Sequence, residues 1–229
     1  MGSYEEKRAR LIDELVQEGI LRDPEVIRAM CAVPREEFTP EELRESAYFD
    51  SPLPSKGGQT ISAPHMVAMM CQHLRLSPGQ KVLEVGAGTG YHAAVCAEII
   101  APAALPEDQR GHVYAVELVS PLIDFARANL SRCGYTGRVT IIEGDGTLGL
   151  PAEAPYDRIL VTAAAPIIPP PLKMQLKDGG RMVIPVGEAY SIQELLVVER
   201  AGNVFRETAH GGCVFVPLLG QYGWNPGRA

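Results

Sequence analysis

"VLEVGAGTGYHAA", residues 82–94, joins a β-rich run to a helix-forming one through three glycines at alternate positions, Gly86, Gly88 and Gly90. A glycine loop between a strand and a helix N-terminus lets a ligand reach backbone N–H groups that the helix leaves without partners. Dinucleotide sites use a related loop. Counted from Gly86, their G-x-G-x-x-G/A pattern needs a small residue at position 91, where this chain has Tyr91. Glu84 stands two residues before the first glycine, and a carboxylate there repels a pyrophosphate but attracts a cation. S-adenosylmethionine carries an ammonium and a sulfonium and no phosphate, so an acidic strand end followed by glycines suits it. A solvated strand-end acid is the competing reading of Glu84 taken alone.

Outward from this loop, β-rich and helical runs alternate. "KVLEV" (81–85), "HVYAVEL" (112–118), "RVTIIEG" (138–144) and "RILVTAA" (158–164) read as strands, with helices near 91–100 and 121–133 between the first three. That alternation predicts parallel strands joined by crossover helices. Glu117 ends the second run, where a carboxylate can accept from ribose hydroxyls, and Asp145 with Gly146 follows the third, near the place of an adenine. Three loops at successive strand ends are thus expected to converge on one crevice. After the proline-rich "APIIPPPLKMQL" (165–176), the runs "GGRMVIPVG" (179–187), "QELLVVER" (193–200) and "GGCVFVPLLG" (211–220) leave little room for helices, so an antiparallel pair should finish the sheet. "APAALPEDQRG" (101–111) reads as a surface loop.

Residues 1–55 read as a helical appendage. Ser3 and Glu6 have capping-box spacing, and Asp23-Pro24 and Thr39-Pro40 each read as an N-cap followed by a first-turn proline. Residues 56–80 are expected to form a lid segment and a helix, and 81–229 the cofactor-binding sheet, all within one domain of 229 residues. The stripe Val67, Met70, Cys71, Leu74 has the spacing of a buried helix face.

The net charge of −7 argues against nucleic acid or an anionic membrane as partner. No apolar run approaches a membrane span, and the first twenty residues are too charged for a secretory signal. Five cysteines without a C-x-x-C pair suggest buried free thiols in a reducing cytoplasm, and the histidines show no metal-ligand spacing. A monomer is expected.

The nature of a methyl acceptor can be narrowed. Amine-methylating nucleobase enzymes carry an Asn/Asp-Pro-Pro-aromatic tetrad after the fourth strand, where this chain reads Thr162-Ala-Ala-Ala-Pro166, and no cysteine precedes a proline as ring methylation would need. A carboxylate acceptor is already ionised at neutral pH and needs only desolvation and aim, which calls for donors and no base. "KGGQTISAPHM" (56–66) supplies them through Thr60, Ser62 and the N–H groups of a glycine-flanked turn, with Pro64 opening the next helix. His65 then reads as a helix-start residue. A Ser62/His65 hydrolase pair lacks the G-x-S-x-G elbow.

These residues, with "VPREEFTPEE" (33–42), "AYFDSPLP" (47–54), "GGQTISAPHMVAMM" (57–70), "EGDGTLG" (143–149), "APYDRILVTAAAP" (154–166), "QLKDGGRMVIPVG" (175–187) and "FVPL" (215–218), resemble the protein-L-isoaspartate O-methyltransferase family over about residues 33–219. The resemblance implies a Rossmann-like fold for S-adenosylmethionine-dependent methyl transfer. It also implies methylation of the α-carboxylate of L-isoaspartyl residues in damaged proteins and peptides, with S-adenosylhomocysteine as product. By that likeness Ser62 is the active-site residue and Thr60, Ile61, Val216, Pro217 and Leu218 flank the substrate. Gly86, Gly88, Glu117, Leu118, Asp145 and Gly146 would hold the cofactor beside Glu84. A cofactor-binding adaptor and a methyltransferase for some other carboxylate are the rival functions.

Overall fold

The computed structural model describes residues 2–225. Two helices open the chain, α1 (Tyr4–Gln17) and α2 (Pro24–Ala32). The Ser3–Glu6 capping box forms, and the Asp23 carboxylate caps α2 above its first-turn proline. Thr39 does not act as an N-cap: its hydroxyl donates back to the Arg35 carbonyl, and the flanking segments 35–38 and 41–46 are tight 3₁₀ turns. Two short strands, β1 (Leu53–Pro54) and β2 (Thr60–Ile61), pair antiparallel around a glycine turn before α3 (Pro64–Leu74).

The main body then runs β3 (Lys81–Val85), α4 (Tyr91–Ile100), β4 (His112–Glu117), α5 (Ser120–Arg132), β5 (Val139–Glu143), β6 (Tyr156–Val161), α6 (Pro170–Gln175), β7 (Leu176–Val186), β8 (Gln193–Ala201) and β9 (Val204–Cys213). One seven-stranded sheet results, in the order β5-β4-β3-β6-β7-β8-β9, parallel from β5 to β7 and antiparallel across β7-β8-β9. The expected strand in 211–220 lies earlier: β9 ends at Cys213, and Phe215–Leu218 leave the sheet edge to pair with the Ala164 region.

α4 is buried on nearly every side because the sheet covers one face and α2 another, so it shows no polar stripe. Leu11, Leu15 and Met30 of the N-terminal helices share one buried cluster with Val82 and Val113 of the sheet. Val67, Met70, Cys71 and Leu74 are buried as the stripe predicts. All five cysteines are free, but Cys31 is exposed and Cys133 half-buried, so the expectation of buried thiols holds for Cys71, Cys96 and Cys213 only.

Strand β3 has β4 on one side and β6 on the other. The chain therefore reverses its winding direction at β3, and a crevice opens beyond the carboxyl ends of these strands. That geometry places Glu84, Glu117 and Thr162 around one opening.

Candidate active site

An open cleft occupies this crevice, enclosing about 800 Å³ when the solvent space at its mouth is included. Its floor is the loop after β3, where Gly86, Gly88 and Gly90 have φ of 90°, 56° and 85°. A Cβ on Gly86 would stand 2.7 Å from Thr162 Oγ1, whose hydroxyl donates to the Val85 and Gly86 carbonyls. Gly86→Ala should therefore cost about 2 kcal/mol from strained backbone alone, read as a lower denaturation midpoint in urea. An unchanged midpoint would contradict the close packing of this loop.

Glu84 is 1% exposed, lines the cleft, and leaves both carboxylate oxygens without a hydrogen-bond partner among the described residues. Burial, and secondarily the neighbouring Cys96 and Glu117, hold its carboxyl well above the usual range. A buried acid with no partner is costly to ionise unless a cation or a donor reaches it. Glu117, at the end of β4, accepts from the Gly88 N–H at 2.8 Å and from the Leu118 and Val119 N–H groups at 2.9 Å. It braces the glycine loop while lining the cleft, with room for one further donor on its oxygens.

Gly146 also lines the cleft, and a Cβ there would meet Val85 Cγ1 at 2.6 Å. Asp145 departs from expectation. It is not a cleft-lining residue: its carboxylate accepts from the Thr147 N–H and hydroxyl and from the Gln221 N–H. It thereby ties the C-terminal segment to the loop after β5. Trp224 continues that tie, its indole N–H donating to the Ala164 carbonyl at 3.1 Å.

The segment expected to act as a lid holds the β1–β2 ladder with its turn at Lys56–Gly58, where Gly57 and Gly58 have positive φ. It bears on Val119: a Cβ on Gly57 would come within 2.5 Å of Val119 Cγ1. Thr60, Ile61 and Ser62 line the cleft from this side. The Ser62 carbonyl accepts from Arg35 at 2.8 Å, and its hydroxyl has no partner among the described residues. His65 is not among the cleft-lining residues: its backbone N–H and ring Nδ1 both meet the Asp50 carboxylate at 2.9 Å, which fixes the start of α3. Opposite, Val216, Pro217 and Leu218 form a wall held by two 2.8 Å bonds between the Ala164 backbone and residues 216 and 218.

Twelve of the thirteen expected site residues thus surround one cleft, Asp145 being the exception. Tyr91, His92, Thr162 and Val119 were missed. His92 is buried with its Nε2 unpartnered, and burial pushes its pKa down to about 3, so it is a neutral imidazole. Its position could have signalled its place in the cleft, since the first residues of a helix behind a glycine loop face the space in front of that loop.

A buried acid beside a glycine loop and a hydroxyl on the facing segment thus share one cleft. The protein-L-isoaspartate(D-aspartate) O-methyltransferase family profile matches residues 6–223. The protein-L-isoaspartate O-methyltransferase of Hyperthermus butylicus is 56% identical over 221 residues, covering 96% of this chain and 92% of the relative. That of Staphylothermus marinus is 54% identical over 222 residues, covering 96% and 97%. A crystal structure of the Plasmodium falciparum protein of the same description, in complex with S-adenosyl-L-homocysteine, superposes with a TM-score of 0.81 at 28% identity, covering 93% of this chain and 98% of that one. With the profile spanning nearly the whole sequence and the fold and cleft in agreement, the chain belongs to the protein-L-isoaspartate(D-aspartate) O-methyltransferase family.

Proposed function

We propose that this chain transfers a methyl group from S-adenosylmethionine to the α-carboxylate of L-isoaspartyl residues in damaged proteins and peptides. The observation that carries the proposal is the pairing, in one cleft, of a buried unpartnered Glu84 carboxylate with the Ser62 hydroxyl on the lid. S-adenosylmethionine supplies a methyl carbon on a sulfonium, the electrophile of an in-line displacement. Glu84 takes the ammonium, and Gly86, Gly88 and Gly146 let the ligand lie against backbone. Glu117 and Leu118 flank the ribose, and Asp145 acts indirectly by fixing the loop that carries Gly146.

Ser62, with Thr60, aims the incoming carboxylate, and it serves as a donor with no covalent intermediate. Ile61 and Val216–Leu218 bound the substrate backbone on the two sides of the cleft. No base is needed because the acceptor is ionised at neutral pH. The methyl ester leaves the protein, and attack by the following backbone nitrogen expels methanol and closes a succinimide, which hydrolyses in part to normal aspartate. One chain working as a monomer and a single domain suffices, with no nucleic-acid or membrane partner. The five free cysteines and the charge of −7 support a cytoplasmic setting.

The test is transfer of labelled methyl from S-adenosylmethionine to two peptides that differ only in isoaspartate or aspartate at one position, read as base-labile methanol. Label on the isoaspartyl peptide alone is expected. Label on neither, with cofactor binding intact, would replace the proposal with a dedicated-substrate enzyme or an adaptor.

A further inference from the structure

Arg35, in the turn after α2, is 0% exposed, although no carboxylate lies within ion-pair distance of it among the described residues. Its neighbour Glu36 is engaged by Arg8 and Tyr48, and Asp50 is engaged by His65. The guanidinium fork spans two carbonyls instead: Nε donates to Ala47 and Nη2 to Ser62, both at 2.8 Å. Its Cζ lies over the Tyr91 ring, 5.0 Å from the centroid, and Nη1 is buried without a hydrogen-bond partner among the described residues.

A buried cation lacking a counter-ion is strongly destabilising, and an apolar side chain of the same volume would serve the core better. Packing therefore does not account for it. Its surroundings do: Ser62, Tyr91 and His92 all line the cleft, and Arg35 lies behind that wall, bonded to the first and seated over the ring of the second. Both ring residues are neutral at physiological pH, since burial pushes Tyr91 up to about 12 and His92 down to about 3. The cation beside Ser62 is Arg35, and the Asp50 carboxylate acts on it from beyond ion-pair distance.

We propose that Arg35 is a positioning residue of the substrate site, whose fork fixes Ser62 against Ala47 and whose charge, held in no ion pair among the described residues, favours an anionic carboxylate at Ser62 over a neutral group. The proposal rests on the function proposed above.

The test crosses enzyme charge with ligand charge. An isoaspartyl peptide and its α-carboxamide analogue, which is isosteric and neutral, are titrated into wild type, Arg35→Met and Arg35→Lys, each saturated with S-adenosylhomocysteine. Wild type should prefer the carboxylate. Arg35→Met should lose at least about 10-fold of that preference, as expected for a charge pair in a poorly solvated site, with S-adenosylhomocysteine affinity unchanged. Arg35→Lys keeps the charge but lacks the fork, so it should retain the preference and lose several-fold in kcat.

Equal weakening of both peptides in Arg35→Met, or a parallel loss of cofactor affinity, would reduce Arg35 to a structural residue. A wild-type kcat in Arg35→Lys would overturn the fork. Arg35→Gln, also neutral, stands in with the same two outcomes where Arg35→Met fails to fold. Failure of wild type to methylate the isoaspartyl peptide would count against the function itself, whereas a changed preference with wild-type activity intact bears on Arg35 alone.

Discussion

Glu84→Gln is expected to move two observables in opposite directions, stabilising the ligand-free protein while weakening S-adenosylmethionine binding by about 100-fold, the scale of losing one partner of a buried charge pair. The first effect follows from proton linkage. The Glu84 carboxyl is raised well above its ordinary value of 4.5 in the folded state, chiefly by burial. Below that value both states are protonated and the residue imposes no penalty. As pH rises through it the unfolded chain ionises first, so stability is lost until the folded carboxyl ionises as well.

At neutral pH the free protein therefore carries a penalty that glutamine removes. An amide leaves its own donors unsatisfied there, so the net gain should be about 1 kcal/mol, or roughly 2–4 °C in Tm for a chain of this size. Scanning calorimetry without ligand and titration calorimetry with S-adenosylmethionine are the two measurements. Binding of the ammonium should also ionise Glu84 in wild type, so the binding heat should vary with the ionisation enthalpy of the buffer, and that dependence should vanish in Glu84→Gln. A lower Tm with unchanged affinity would make Glu84 a structural acid and send the ammonium elsewhere.

The elements that are buried on both faces were legible because burial leaves a continuous apolar run, as in "KVLEV" and "RILVTAA", and the helix starting at Tyr91 was marked by the glycine before it. Strand β9 was not. It is an edge strand with nearly every side chain exposed, joined to β8 through backbone bonds, and its Arg206-Glu207 pair and two glycines give no period to detect. Side chains that bind across long sequence separations were equally silent. Asp145 looks like a ligand-facing strand-end acid, and only the fold brings Gln221 to it. Nothing in "VPREEF" marks Arg35 as buried, and only the fold places it behind Ser62. Gly86, Gly88, Thr60 and Ser62, by contrast, were readable from local signatures, glycines at alternate positions or a hydroxyl run between glycines and a proline, whereas Ile61, Leu118 and Val216–Leu218 followed only from the family resemblance.

Ser62→Ala should lower kcat and kcat/KM for an isoaspartyl peptide together by about 100-fold, as expected for removal of one preorganised donor, and leave S-adenosylmethionine affinity within twofold. The geometry makes this a clean deletion. The bond that fixes residue 62 runs from Arg35 to its carbonyl, which alanine keeps, and the preceding residues remain paired to β1. The hydroxyl itself has no protein partner among the described residues, so its loss orphans nothing and stability should change by less than about 0.5 kcal/mol. Turnover then reports the hydroxyl alone. If KM rose while kcat held, Ser62 would bind the ground state without aiming the carboxylate. If cofactor affinity fell in step with turnover, Ser62 would belong to the cofactor's site, and the carboxylate would have to be aimed by Thr60 and the lid's backbone.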